Sequence, residues 1–107
     1  MELSVRERKL LADLARDLRR DFGATEIRLY GSATRGALTA DSDIDLYIVV
    51  PDLTWPLERA ICDRCYDVTL QCGRMVSPCV VSQRELAETA LRVSPLIRTV
   101  EQQGVNL

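Results

Sequence analysis

Apolar residues near the start of the chain recur at Leu10, Leu11, Leu14 and Leu18, the spacing of one helical face. Ahead of them Ser4-Val5-Arg6-Glu7 reads as a capping box. The pattern predicts a helix to about Asp21, ended by Gly23. Two extended runs follow, over Thr25–Tyr30 and Asp43–Val50, and Pro51-Asp52 closes the second. Leu57, Ile61, Cys65, Val68 and Cys72 then return to helical spacing, which predicts a helix from about Trp55 with Gly73 as its cap. A competing reading ends that helix near Cys65 and makes Tyr66–Leu70 a strand; the sustained period favours the helix. Met75–Ser82 is the next strand, and Pro78 marks it as an edge strand or a bulged one. A second capping box, Ser82-Gln83-Arg84-Glu85, opens a short helix with Leu86, Ala90 and Leu91 inward. Ser94-Pro95 starts a last helical segment, which Gly104 ends, so that Val105 and Leu107 can fold back on the core.

These elements describe an α/β fold: a small mixed β-sheet of three or four strands flanked by helices. The expected core includes Leu14, Leu18, Ile27, Leu29, Ile44, Leu46, Ile48, Ile61 and Val80. A chain of 107 residues, without a linker-like tract, a charge block or a repeat, is expected to be one domain over 1–107. No apolar stretch is long enough for a signal peptide or a membrane span.

Fourteen basic and 16 acidic residues leave a net charge of −2, which argues against broad sequence-independent nucleic-acid binding. Arg6, Lys9, Arg16 and Arg20 could make one face of the first helix a docking surface for RNA or a partner. Asp13 and Asp17 interrupt that face, and a solvated surface with local ion pairs is favoured. Cys62, Cys65, Cys72 and Cys79 occur with no histidine. A four-thiolate zinc site is one reading of them. The other places the first three on the apolar face of a helix as small hydrophobes. Without an export signal the thiols are expected to be reduced and the chain cytoplasmic.

The chemistry concentrates between Tyr30 and Val50. Gly31-Ser32 directly follows the first strand, Ala33 to Leu38 reads as a short helical piece carrying Arg35 and Gly36, and Ser42-Asp43-Ile44-Asp45 feeds into Leu46-Tyr47-Ile48-Val49-Val50. Side chains two apart in a strand share a face, so Asp43 and Asp45 project together while Ile44 and Leu46 point into the core. Two neighbouring carboxylates repel unless a cation lies between them, and hard oxygen ligands of this kind suit magnesium held together with substrate phosphates. Glycine at position 31 lets the backbone approach a ligand closely. The N–H groups that follow favour an anion. Ser32 adds a hydroxyl donor, and Arg35 can neutralise phosphate charge.

G-S-x-x-R-G followed by S-D-I-D-L resembles the nucleotidyltransferase superfamily that includes DNA polymerase beta, and more narrowly the stand-alone minimal nucleotidyltransferases of bacteria and archaea. The resemblance implies that Gly31 and Ser32 contact the triphosphate of an NTP substrate such as ATP. It also implies that Asp43 and Asp45 hold Mg2+ as the catalytic pair, with Arg35 nearby. It further implies transfer of a nucleoside monophosphate, AMP above all, to an acceptor hydroxyl on a partner protein. Minimal members are often paired with a HEPN-domain ribonuclease as antitoxin and toxin.

One departure from that pattern bears on mechanism. The superfamily commonly draws a third carboxylate from a strand beyond the Asp-x-Asp strand. Asp67 is its obvious holder only if Tyr66–Leu70 is a strand. If that segment is helical, the following strand has no carboxylate, and a non-catalytic module that binds a nucleotide or masks a partner stands as the alternative.

Overall fold

The computed structural model describes residues 2–107. Helix α1 spans Val5–Phe22, with the Ser4 hydroxyl accepting from the Glu7 N–H and the Glu7 carboxylate accepting from the Ser4 N–H. Gly23, at φ 71, ends it in the left-handed conformation that glycine adopts without a Cβ penalty. Strand β1, Glu26–Tyr30, leads through a 3-10 turn at Gly31–Thr34 to strand β2, Ile44–Val50. Helix α2 spans Trp55–Cys72 between the Thr54 cap and Gly73, so the strand reading of Tyr66–Leu70 fails. Strand β3 is Val76–Ser82, followed by α3 (Gln83–Glu88), a 3-10 turn at Ala90–Val93, α4 (Pro95–Gln103) and the two-residue strand β4, Val105–Asn106.

The strands form one mixed sheet in the order β3-β2-β1-β4. Strands β1 and β2 are antiparallel, as are β1 and β4, whereas β2 and β3 run parallel through the α2 crossover. Strand β3 lies at an edge, which accommodates Pro78. At the other edge the Leu107 N–H donates to the Ile27 carbonyl, and Leu107 packs against the core while Val105 stays exposed.

Each sheet face is covered. Ile44, Leu46, Ile48 and Val50 face α1 and α2 and pack with Leu11, Leu14, Leu18, Ile61 and Cys65. Tyr47 and Val49, on the opposite face, pack with Val81, Leu86, Ile97 and Val100. This second cluster was missing from the expected core. It explains why β2 is apolar at every position after Asp45, since a strand buried on both faces needs no polar alternation. Val80 is half-buried rather than central, because it sits on the edge strand. Ala90 is exposed, because α3 stops at Glu88 and the chain turns; Leu91 is half-buried. Gly104 ends α4 in an extended conformation, φ −68 and ψ 148, and not in a left-handed cap. Cys62 is exposed, away from the α2 core face, while Cys65 is buried and Cys72 half-buried.

The C-terminal half of the charged face of α1 is self-paired, while Arg6 donates to the Gln71 carbonyl. Asp17 receives Arg20 at 3.1 Å and Arg16 at 3.6 Å, and Arg16 also reaches Asp13 at 3.5 Å. No helix among the described residues is long and apolar enough to cross a membrane.

Candidate active site

The β1–β2 register brings the two halves of the motif together. Tyr30, the last residue of β1, lies opposite Asp45. The next residue, Gly31, takes φ +77, and a Cβ built on it would stand 2.6 Å from the Asp45 Oδ2. Glycine is thus required twice over at this position, by its backbone angle and by the carboxylate against it. The 3-10 turn that follows begins at Gly31 and ends at Thr34, earlier and shorter than the helical piece expected over Ala33 to Leu38. The Thr34 hydroxyl donates to the Gly31 carbonyl at 2.8 Å, and the N–H groups of Arg35 and Ala37 donate to the Ser32 carbonyl. Gly36, at φ 64, then turns the chain away. With a single turn, the axial dipole is small, and direct backbone and hydroxyl donation carries most of the attraction for an anion. Ser32 is half-buried and Arg35 is exposed.

Asp43 is exposed just before β2, and Asp45 is half-buried within it, between the fully buried Ile44 and Leu46. Burial, and secondarily the charge of Asp43, push the Asp45 carboxyl above its ordinary value. Its carboxylate receives no hydrogen bond or ion pair from the described residues. A half-buried carboxylate raised in this way, beside a second carboxylate, is stabilised by a cation. Among the described residues no group of three or more His, Cys, Asp or Glu side chains could hold a metal. Two carboxylates leave most of an ion's coordination to other ligands, a pattern that hard cations accept.

The place of a third carboxylate is explicit in the register. Strand β3 runs parallel to β2 with Ser77 opposite Asp45 and Cys79 opposite Tyr47. Side chains at paired positions share a face, so the neighbours of Asp45 on that side are a hydroxyl and, one step on, a thiol. Burial raises the Cys79 thiol above its usual range, and the same cause raises the Tyr30 phenol, with Cys79 and Asp45 adding to it. Asp67 lies on α2 and faces the groove between α1 and α2, lined by Asp13, Asp17 and Arg64.

A residue that sequence patterning did not single out holds the aspartate loop. Arg74 follows the Gly73 cap and is almost buried. Its Nε donates to the Glu7 Oε2 at 2.7 Å, and its Nη1 donates to the carbonyls of Thr39 at 2.6 Å and Ser42 at 3.3 Å. The loop is further closed by the Thr39 N–H donating to the Ser42 Oγ, and the Ile44 N–H donates to the Met75 carbonyl. One guanidinium thereby fixes the residues immediately before Asp43 against α1 and the α2–β3 junction. Nothing in the local sequence marks Arg74, because its partners lie far away along the chain.

A cleft of about 630 Å³ lies at the opposite end of the strands, around Glu26, Arg28, Val49 and Arg92. Two of its cations are already engaged: Arg28 bonds Glu26 at 2.6 Å and the Glu101 carbonyl, and Arg19 donates to the Leu107 carbonyl. Between that cleft and Asp45 lies Tyr47, whose buried hydroxyl has no hydrogen-bond partner among the described residues; burial pushes the phenol up to about 12.

Residues 11–74 match the family described as nucleotidyltransferase domain, a span that includes the Gly-Ser turn and both aspartates. A solved structure of a candidate minimal nucleotidyltransferase aligns with 95% of this chain and 89% of its own, at 27% identity and a TM-score of 0.55. A candidate nucleotidyltransferase from Sulfolobus solfataricus covers 95% and 79%, at 22% identity and a TM-score of 0.53, a likeness of fold alone. No curated protein gives a significant match.

Proposed function

This chain belongs to the nucleotidyltransferase domain family, and we propose that it transfers a nucleoside monophosphate, AMP by preference, from an NTP to a hydroxyl on a partner protein in a magnesium-dependent reaction. The single observation that carries the reading is the apposition of Gly31 and Asp45, with room for no side chain between them. It makes a backbone that can approach phosphate and a carboxylate that needs a cation into one site.

In this reading Asp43 and Asp45 hold Mg2+, which when bound would offset charge on the triphosphate. The backbone at Gly31 and the Ser32 hydroxyl donate to the β- and γ-phosphates. Arg35, exposed on the same turn, swings in to neutralise the phosphate charge that remains. The Arg74 clamp keeps the aspartate loop from moving as the nucleotide enters. The partner we propose is a HEPN-domain ribonuclease, silenced as a toxin by AMP on a tyrosine, with this chain as cytoplasmic antitoxin. The family resemblance supports that pairing. A small domain with an open site, whose basic helix pairs Arg16 and Arg20 with its own acids, also suits an acceptor presented by another protein.

A second reading is favoured by Ser77, which stands where a third carboxylate would be expected beside Asp45. In it the site binds nucleotide with magnesium, and the chain neutralises its partner by masking alone. Incubation with labelled ATP and magnesium, with and without the product of the adjacent gene, separates the two by intact mass. A partner-dependent AMP adduct supports transfer. Tight metal-dependent ATP binding with no adduct sinks transfer in favour of masking, and no nucleotide binding at all removes both.

A further inference from the structure

Helix α2 has two apolar faces. One is the core face already described. The other is exposed and runs through Trp55, Arg59, Cys62, Tyr66 and Leu70, at intervals of four, three, four and four residues. At about 100° per residue these five positions fall within a single narrow stripe, well round the helix from Ile61 and Cys65. Trp55 is 70% exposed, Tyr66 55% and Leu70 67%. The Arg59 guanidinium lies 5.5 Å from the centre of the Trp55 ring, so its stem extends the stripe instead of interrupting it.

The stripe is nearly self-complementary about a point between Cys62 and Asp63. Turned end for end on itself, it sets Trp55 against Leu70, Arg59 against Tyr66, and Cys62 against Asp63, so that Cys62 and Asp63 each lie about 1.5 Å along the axis from their own copies. We infer that this face of α2 packs against the same face of a second copy of the chain, as an antiparallel helix pair about a two-fold axis. A two-fold contact uses one patch on both partners, and a patch whose halves fit each other meets that requirement. In such a pair like flanks meet: the two Asp63 carboxylates come near each other at the two-fold axis, and each Arg59, on the same flank and about one turn away along the partner's axis, offsets their charge. Arg59 also reaches the face of the partner's Tyr66 ring.

The size is that of a weak association. With about 150–250 Å² for each aromatic side chain, the stripe offers roughly 400–500 Å² of apolar surface per copy. The total falls at the small end of specific interfaces, below about 1,200 Å². A dimer forming in the micromolar range or above is therefore expected. Packed at an interaxial distance of about 9 Å, the two Cys62 Cα atoms come to about 6 Å, within the range of a disulfide.

The test is sedimentation velocity of the whole chain from about 5 to 500 µM, together with mild oxidation by copper phenanthroline at pH 8 and peptide mapping of the product. The expected result is a concentration-dependent dimer that is trapped through Cys62–Cys62. Leu70→Glu and Tyr66→Glu, both at exposed positions, should remove the dimer while circular dichroism and melting stay as in the parent. Cys62→Ser should remove the cross-link but not the dimer. A monomer throughout that range overturns the inference. So does a dimer that Leu70→Glu leaves intact, or one trapped through other cysteines. Because the stripe is remote in sequence from the aspartates and from the Gly-Ser turn, these outcomes do not depend on whether nucleotidyl transfer is found.

Discussion

Replacing Gly31 by alanine tests the site more sharply than removing either aspartate, because it adds one methyl group and no charge. Two costs follow. At φ +77 an L-residue carries a left-handed strain of about 1–2 kcal/mol. That corresponds to a fall in Tm of roughly 5–15 °C for a domain of about 100 residues. The new methyl also starts 2.6 Å from the Asp45 Oδ2. Ordinary contact needs about 3.5–4 Å, so the carboxylate must move by about 1 Å. A displacement of that size in a reacting constellation costs on the order of 100-fold in rate. Gly23→Ala is the matched control. Gly23 sits at φ +71 with nothing within 4 Å of its added Cβ, so it bears the strain without the collision. Both variants should melt early by similar amounts in thermal denaturation. Only Gly31→Ala should lose transfer activity about 100-fold and weaken magnesium-dependent ATP binding. Equal activity in the two variants would refute the claim that the Gly31–Asp45 contact builds the site.

Other outcomes follow from the same geometry. Asp43→Asn with Asp45→Asn should abolish magnesium-dependent transfer while the circular dichroism spectrum is retained, and magnesium with ATP should no longer raise Tm. Asp45 has a raised carboxyl, so ionising it opposes folding: the stability it allows is complete below its unfolded pKa and declines as pH rises through its folded one. Metal-free Asp45→Asn should accordingly gain more over the parent at pH 7 than at pH 3.5 in denaturant titrations. Arg74→Met strands the Ser42 carbonyl, leaves the Thr39 carbonyl with the Ser42 N–H alone, and removes the ion pair of the partly buried Glu7. It should cost about 2–4 kcal/mol and speed amide exchange over residues 39–43 more than in β1. Ser77→Asp places a carboxylate beside Asp45; it should tighten magnesium binding severalfold by calorimetry, and no change there would mean that the β3 position does not face the metal.

Much of this architecture was legible because local chemistry and global packing agree. Ser4, Glu7, Gly23, Gly73, Ser82 and Glu85 mark helix ends by capping, which operates within a turn and so shows in short stretches. The spacing of Ile61, Cys65 and Val68 outweighed the β-rich look of Tyr66–Leu70, and α2 is helical throughout. The strand after the Asp-x-Asp motif could be read from its unbroken apolar run, although it starts at Ile44 and leaves Asp43 just outside. Long-range matters were not legible. Tyr47 and Val49 are buried only because α3 and α4 return over the far face of the sheet, and their partners Leu86, Ile97 and Val100 come much later in the chain. Arg74 bonds across the whole first half of the molecule. Cys62 stands about 100° round the helix from Ile61, off the face that Ile61, Cys65 and Val68 define, and placing it on that face neglected the angle.

The antiparallel pairing of β1 with β2 has a kinetic consequence. Every residue proposed to touch the nucleotide lies within that one hairpin and its turn, so the contacts that build the site are short in sequence. By contrast β2 meets β3 only after the α2 crossover, and β4 reaches β1 from the far end of the chain. Contacts between near neighbours form at lower loop-closure cost than those between distant ones. The hairpin is thus expected to be structured in the folding transition state, with high φ-values at Ile27, Leu29 and Leu46. Val105 and Ile97 should show low ones, their loss accelerating unfolding while leaving the folding rate nearly unchanged.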